Sequence, residues 1–180
     1  MIRSIKIAIF CLVLISTHYT VAQTAHFPIV KGFGGIFEVP NASESPDPSL
    51  YYQIIVDMST AAADNAEISK WVDNVARLVN LHGLAGVPKD KMHVIVVVHG
   101  GAIFTVMNNK QYQDKFKVDN PNIPVYKALQ DAGVKVYVCG QSMHARDLKK
   151  EDLYDGADIA LSALTTITTY VPKGYTMLKF

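Results

Sequence analysis

The sequence predicts an α/β fold with a mainly parallel sheet, and two observations lead to that prediction. Apolar β-rich segments alternate along the chain with segments whose apolar residues recur at three- and four-residue spacing, which are the patterns of buried strands and amphipathic helices. Residues 94–98 form a continuous apolar run, which is typical of a strand that is buried on both faces. Such alternation characterises parallel sheets that are covered by helices.

The first 22 residues predict a secretory signal peptide. Arg3 and Lys6 precede an apolar run from Ile7 to Ile15, which is too short to cross a bilayer as a helix. Thr20-Val21-Ala22 supplies small residues at a cleavage position. We therefore expect cleavage near Ala22, secretion across the inner membrane into the periplasm, and no membrane association of the mature chain.

Residues 23–49 predict an N-terminal arm that precedes a single domain at residues 50–180. The arm is rich in Gly, Pro and Ser and has no long periodic stretch, so we expect at most one short extended piece at Ile36 to Val39. Three phenylalanines in this loose segment indicate that it packs on something, either its own domain or another molecule: Phe27, Phe33 and Phe37.

The first half of the domain predicts two strands and one helix. Residues 51–59, "YYQIIVDMS", predict the first strand, and apolar residues then recur at helical spacing between Ile68 and Val79. The buried strand that ends before His99 is the second. Residues 102–122 predict only a helical turn or two followed by a surface excursion.

The second half predicts three further strands. "IPVYKALQDAG", residues 123–133, predicts a helix with Pro124 in its first turn and Gly133 at its end. "VKVYVCG" then predicts the third strand, which ends at Cys139. The remaining predicted elements are a charged turn at 147–156, a strand at 157–163, a helix at 164–170 and a strand at 174–180.

Composition and motifs argue against several classes of function. The chain has 17 basic and 16 acidic residues without a long basic run, so nucleic-acid binding is not expected. The glycines of residues 32–35, "GFGG", lack the spacing and context of a dinucleotide-binding loop. The histidines are scattered without metal-ligand spacing. No cofactor and no metal is therefore predicted.

Polar residues follow the predicted strands, and parallel pairing brings such residues to one edge of a sheet, where α/β proteins bind ligands. The residues in question are Asp57, Ser59, His99, Gly100, Cys139, Gly140, Gln141 and Ser162. Cys139 and His99 are the two with obvious chemistry. Because Cys11 leaves with the signal peptide, Cys139 is the only cysteine after residue 22, and no internal disulfide can form.

Cys139 is the candidate functional residue because its surroundings in the sequence favour the thiolate. A helix that begins after Gly140 would direct its free N–H groups at the sulfur, and His144 and Arg146 would lie within the next turns. Backbone donors and nearby cations both lower the pKa of a thiol. We therefore assign Cys139 as the reactive residue, with His99, His144, Arg146, Gly140 and Gln141 in support.

The residues leave other interpretations open. Cys139 can be the last core residue of its strand, His99 a histidine hydrogen-bonded to backbone, and His144 and Arg146 solvated surface groups. Cys139, His99 and Asp57 also make a candidate set for a Cys-His-acid hydrolase. A serine esterase is disfavoured, because no histidine follows His144 to complete the Ser, acid, His order.

Residues 129–153, "LQDAGVKVYVCGQSMHARDLKKEDL", and the continuation to Phe180 resemble the DsrE/DsrF-like family of small sulfur-handling proteins. The resemblance covers about residues 50–180 in the order of elements. It implies a three-layer α/β/α domain with a five-stranded parallel sheet, assembled as trimers, hexamers or hetero-oligomers. It also implies that Cys139 matches the cysteine that carries a persulfide in the sulfur-relay members.

The resulting hypothesis is a periplasmic sulfur carrier, more than a turnover enzyme, in which Cys139 forms a persulfide. Its expected partners are a sulfur donor or acceptor protein, or a small sulfane-sulfur compound, and a homo-oligomer is expected. The alternative from another class is an oligomeric ligand-binding or structural domain without catalytic activity, in which Cys139 is a buried spectator.

Overall fold

The computed structural model describes residues 23–180, so the predicted signal peptide and its cleavage site lie outside the described residues. Five strands form one parallel sheet in the order β4-β3-β2-β1-β5. The strands are β1 (Tyr52–Met58), β2 (Met92–Val98), β3 (Lys135–Cys139), β4 (Asp158–Ala160) and β5 (Thr176–Lys179). The predicted five-stranded parallel sheet is confirmed.

Five α-helices connect the strands: α1 (Lys70–Leu84), α2 (Asn109–Phe116), α3 (Ile123–Asp131), α4 (Gly140–His144) and α5 (Ala163–Tyr170). The predicted helices after the first strand, before the third and before the fifth are confirmed. The poorly patterned region after β2 forms a 3-10 helix at Gly100–Val106 and then α2. No helix within residues 23–180 combines the length and apolarity needed to cross a membrane.

The two faces of the sheet are covered unequally. On one face, α1 and α3 bury the larger core against alternate residues of the central strands, including Val56, Val96 and Val138. On the other face, α5 covers a smaller cluster through Ala163 and Ile167. This is a three-layer arrangement, because alternate side chains of a strand point to opposite faces of the sheet.

Helix α3 begins and ends as its sequence predicts. Pro124 lies in its first turn, where a missing N–H leaves no helical hydrogen bond unmade. Gly133 follows the helix with φ +92°, a left-handed conformation that glycine adopts without steric cost. This turn connects α3 directly to β3, the strand that ends at Cys139.

The N-terminal arm packs on its own domain through Asn80 of α1. The Asn80 side chain is fully buried; its Oδ1 accepts hydrogen bonds from the N–H groups of Ile29 (3.0 Å) and Val30 (2.8 Å). Its Nδ2 donates to the carbonyls of Val30, Phe33 and Gly34. In place of the extended piece predicted at 36–39 there is one antiparallel bridge, between His26 and Ile36.

Candidate functional site

The carboxyl ends of β1, β2 and β3 lie side by side. Met58 is paired with Val98, and Val98 with Val138. Cys139 therefore follows in register beside His99 on the neighbouring strand, whose backbone is about 5 Å away. The structure brings the polar residues that follow these strands to one edge, as expected for parallel pairing.

Cys139 lies on the face of the sheet that α5 covers. It belongs to the small apolar cluster that also contains Ile55, Val97 and Ala163. Since side chains alternate along a strand, Asp57 and His99, each two residues beyond a member of that cluster, project to the same face. The three residues thus share one end and one face of the sheet.

His99 is bound to Asp57. Its Nε2 lies 2.5 Å from Asp57 Oδ1, and the side chains of His99 and Asp57 are 27% and 13% exposed. The ring therefore interacts with a carboxylate, whereas the His99 backbone N–H donates to the Met58 carbonyl (2.9 Å). The hydrogen bonds described for residues 23–180 do not join His99 to Cys139, so the candidate hydrolase set has its acid and histidine paired but not its nucleophile.

The Cys139 thiol is covered but surrounded by hydrogen-bond donors. The residue is only 4% exposed. Burial raises the pKa of this thiol, but hydrogen bonds from the Ser142 hydroxyl and from the backbone N–H groups of Ala163, Ser142 and Gln141 outweigh it, and the pKa lies below its ordinary value. Donors of this kind favour the thiolate, the nucleophilic form of cysteine.

These donors come from two segments that meet at the end of β3. Gln141 and Ser142 lie in the first turn of α4, and Ala163 is the first residue of α5. The first N–H groups of a helix have no partner inside the helix, so they are available to the sulfur. Ser162 caps α5 by accepting a hydrogen bond from the Leu164 N–H (3.1 Å), which fixes the start of that helix.

Gly140 allows β3 and β4 to approach each other at the site. Ala160 of β4 lies opposite Cys139. A Cβ on Gly140 would lie 3.0 Å from the Ala160 carbonyl oxygen and 3.4 Å from that of Leu161. The glycine is needed for this close contact, and the contact brings the start of α5 to the sulfur.

His144 and Arg146 lie outside this set of contacts. Both are exposed. The Arg146 Nη1 donates to the Ser142 carbonyl (3.1 Å), and its guanidinium carbon lies 5.7 Å from the centre of the Phe104 ring. Arg146 lines a cleft of about 690 Å³ whose lining residues include Phe104 and Lys115 but not Cys139. The groups that lower the Cys139 pKa are thus a hydroxyl and backbone amides, and neither His144 nor Arg146 is among them.

Two contributors to the site were not predicted from the sequence. Ser142 lies three residues after Cys139, so the predicted helix start after Gly140 was the signal that could have placed its hydroxyl on the same side of the helix as the sulfur. Ala163 acts through its backbone N–H, and its side chain gives no signal of that role. Residues 23–180 contain no group of three or more His, Cys, Asp or Glu side chains that could hold a metal ion.

Residues 23–180 thus form a small α/β domain with a parallel sheet and a single cysteine thiol at the carboxyl edge of that sheet. Residues 51–180 match the DsrE/DsrF-like family. The chain belongs to that family, and the resemblance carried by the segment around Cys139 is confirmed.

One solved structure shares this fold, and a second aligns with the chain at a lower score. A protein of unknown function from Methanobacterium thermoautotrophicum, MTH1491, aligns with a TM-score of 0.52 at 16% identity, over 72% of this chain and 99% of that one. The ychN protein from E. coli aligns with a TM-score of 0.49 at 17% identity, over 71% of this chain and 99% of its own. No curated protein sequence matches this chain.

Proposed function

We propose that the protein is a sulfur carrier in which Cys139 accepts a sulfane sulfur and holds it as a persulfide. The observation that carries this proposal is the position of Cys139 at the carboxyl edge of the sheet, where the starts of α4 and α5 meet. The Ser142 hydroxyl and three backbone N–H groups at this place lower the pKa of the thiol and so favour its thiolate. Membership of the DsrE/DsrF-like family adds to it, since sulfur relay is a role of that family. A carrier needs a stabilised nucleophile and does not need an additional catalytic base.

The proposed step transfers one sulfur atom without net oxidation. The Cys139 thiolate attacks the outer sulfur of a donor R–S–SH, a bond forms between Cys139 Sγ and that sulfur, and the donor S–S bond breaks with its electron pair on R–S⁻. The leaving thiolate takes up the proton that Cys139 released on ionisation. In sum, Cys139–SH and R–S–SH give Cys139–S–SH and R–SH.

The burial of Cys139 bears on how a donor reaches it. The side chain is 4% exposed, whereas Leu161, just beyond the residue opposite Cys139, is 73% exposed. Transfer therefore requires a small displacement of the residues around the sulfur. A covered persulfide would be protected from reduction by thiols in solution between loading and delivery.

The partners and location belong to the same proposal. The partner would be a sulfur donor or acceptor protein, or a small sulfane-sulfur compound, and the protein would act in the periplasm after removal of residues 1–22. A homo-oligomer is supported by large apolar side chains that stay exposed on the two edge strands, just after β4 and at the start of α5: Ile159, Leu161, Leu164 and Met177.

Intact mass spectrometry tests the proposal. Wild-type protein and Cys139→Ser are incubated with inorganic polysulfide, desalted and weighed. Wild type should gain about 32 Da, one sulfur atom, and lose it again with dithiothreitol, because persulfidation is a reversible cap. Cys139→Ser should gain nothing. A small-molecule thiol treated in the same way is the control for sulfur loading. If that thiol gains sulfur and wild-type protein does not, the proposal is contradicted.

The burial of Cys139 also favours a second candidate, a structural or ligand-binding domain in which the thiol is a spectator. The cluster of Cys139 with Ile55, Ile95 and Val97 is the observation behind it. This candidate predicts that an alkylating reagent modifies Cys139 only when denaturant unfolds the domain. The carrier predicts modification of the native protein at neutral pH, at a rate independent of low denaturant concentrations.

A further inference from the structure

The Ser142 hydroxyl accepts a hydrogen bond from a backbone amide and keeps its own proton free to donate. Its Oγ accepts a hydrogen bond from the Gly100 N–H at 3.3 Å, a direction that is certain because an N–H group can only donate. A hydroxyl has one proton and two lone pairs, so the proton of Ser142 stays available for an acceptor. Cys139 lies three residues before Ser142 at the start of α4, on the same side of that helix, and the Ser142 hydroxyl is among the groups that lower the pKa of the thiol.

The Gly100 N–H is held in a fixed direction. Gly100 has φ +53°, which favours glycine, and a Cβ there would lie 3.1 Å from the Ser59 carbonyl oxygen. That same carbonyl accepts hydrogen bonds from the N–H groups of Gly101 (3.0 Å) and Ala102 (3.2 Å). The segment after β2 is thus fastened to the end of β1, and its amide points toward the turn that follows β3.

We propose that Gly100 and Ser142 form a positioning pair, in which the amide of Gly100 orients the Ser142 hydroxyl so that its proton points at Cys139 Sγ. The pair stabilises the thiolate form of Cys139 before a sulfur donor binds. Ser142 is a positioning residue, because it acts on the reacting atom through a hydrogen bond and takes no part in bond formation. Its role in sulfur transfer rests on the proposed function, whereas its effect on ionisation does not.

The hydrogen bond has opposite effects on the amount and on the reactivity of the thiolate. It stabilises the negative charge on Sγ, so more of the cysteine is ionised at neutral pH. In the attack that charge leaves Sγ, so each stabilised thiolate is a weaker nucleophile, in line with the Brønsted dependence of thiol reactions. Removing the hydroxyl should therefore raise the ionisation midpoint and also raise the rate once ionisation is complete.

Other titratable groups lie on the elements around Cys139, and their influence on its ionisation midpoint has to be separated from that of the Ser142 hydroxyl. They are the Asp57–His99 pair at the ends of β1 and β2, Tyr137 and Asp158 paired between β3 and β4, Tyr170 of α5, and His144 of α4. Histidines are the side chains that ordinarily change charge near neutral pH. His99→Gln and His144→Gln therefore serve as backgrounds in which the Ser142 variants are measured again.

The experiment compares Ser142→Thr with Ser142→Val, which have nearly the same shape and differ in the hydroxyl. The thiolate ultraviolet absorbance and the rate of alkylation by iodoacetamide are followed against pH. Ser142→Thr should keep the wild-type midpoint. Ser142→Val should raise it by about one to two pH units, the worth of a hydrogen bond to a charged group, and raise the plateau rate about three- to tenfold.

A common midpoint for Ser142→Val and Ser142→Thr would overturn the positioning role, and so would a raised midpoint with a lowered plateau rate. Thermal unfolding of each variant checks that it is folded; Ser142→Ala replaces Ser142→Val if the larger side chain disturbs the fold. The two proposals fail separately. A midpoint shift without sulfur uptake by wild type would refute the carrier function alone, whereas sulfur uptake without a midpoint shift would refute the positioning pair alone.

Discussion

His99, at the end of β2, binds the carboxylate of Asp57 in β1 at 2.5 Å, on the side of β2 opposite the strand that carries Cys139. The imidazole is thus engaged by the neighbouring strand. This pairing links the ends of β1 and β2 and supports the segment that presents the Gly100 amide.

The first prediction follows from that pairing. His99→Gln should leave the ionisation midpoint of Cys139 nearly unchanged, because His99 is not among the groups that lower its pKa. It should lower the free energy of unfolding by about 1–3 kcal/mol, because the partly buried Asp57 carboxylate loses its partner. Alkylation rates against pH and urea unfolding measure the two effects, with His144→Gln as the exposed control. A midpoint shift as large as that of Ser142→Val would assign His99 to the thiolate instead.

Gly140→Ala should loosen the edge of the sheet at the site. The added Cβ would press on the Ala160 carbonyl oxygen at 3.0 Å, and β4 is only three residues long. Overpacking of this kind costs about 1–3 kcal/mol, and amide exchange should increase first at residues 158–160. The exposed neighbour is the control: Gln141→Ala should leave exchange there unchanged. Equal exchange in Gly140→Ala and wild type would show that the contact is tolerated.

Asn80→Ala should release the N-terminal arm. The change removes the Asn80 Oδ1 and Nδ2 atoms, which together pair with five backbone groups in residues 29–34. Each buried backbone group that is left unpaired lowers the free energy of unfolding by about 1–3 kcal/mol before the chain relaxes. Limited proteolysis should cut within this segment while the sheet stays protected. Asn74→Ala, on the same helix, should leave the segment resistant. A resistant arm in Asn80→Ala would mean that apolar contacts of Val30 and Ile36 suffice to hold it.

The stability contributed by Cys139 should depend on pH in a defined direction. Its folded-state pKa lies below the ordinary value of 9.0, so the unfolded chain binds more protons between those two values. The free energy of unfolding of wild type, relative to Cys139→Ser, should therefore rise with pH up to about 9 and stay constant above it. Urea unfolding at a series of pH values measures the difference. A difference that falls as pH rises would show that burial outweighs the hydrogen bonds.

Much of the fold could be predicted because its strands are continuous apolar runs. Residues 94–98 are covered on both faces and contain no polar side chain, and Gly133 marks the turn into β3 by its conformational freedom. For the segment after β2 only a helical turn or two was predicted, because its 3-10 helix at 100–106 has neither the period of a strand nor that of an α-helix.

The site was predictable only in part. Parallel pairing alone places Cys139 beside His99, so the sequence was sufficient to identify the edge. The backbone donors at the start of α4 were predicted, but the contact of the Ser142 hydroxyl with the Gly100 amide was not, because it joins α4 to the 3-10 helix after β2, 42 residues away in the chain. Arg146 was predicted to lie beside the sulfur because of its charge, but its guanidinium contacts the Phe104 ring instead. Phe104 is distant in sequence, so this contact could not be predicted.

The pH dependence of sulfur uptake distinguishes a sulfur-accepting Cys139 thiolate from a spectator thiol. Wild-type protein is mixed with inorganic polysulfide at a series of pH values, and the fraction carrying one added sulfur is measured by intact mass after a fixed short time. We expect half-maximal uptake at the pH where the Cys139 thiolate absorbance is half-maximal, below 9.0, and no uptake by Cys139→Ser. No uptake by wild type at any pH, or equal uptake by Cys139→Ser, would contradict this expectation.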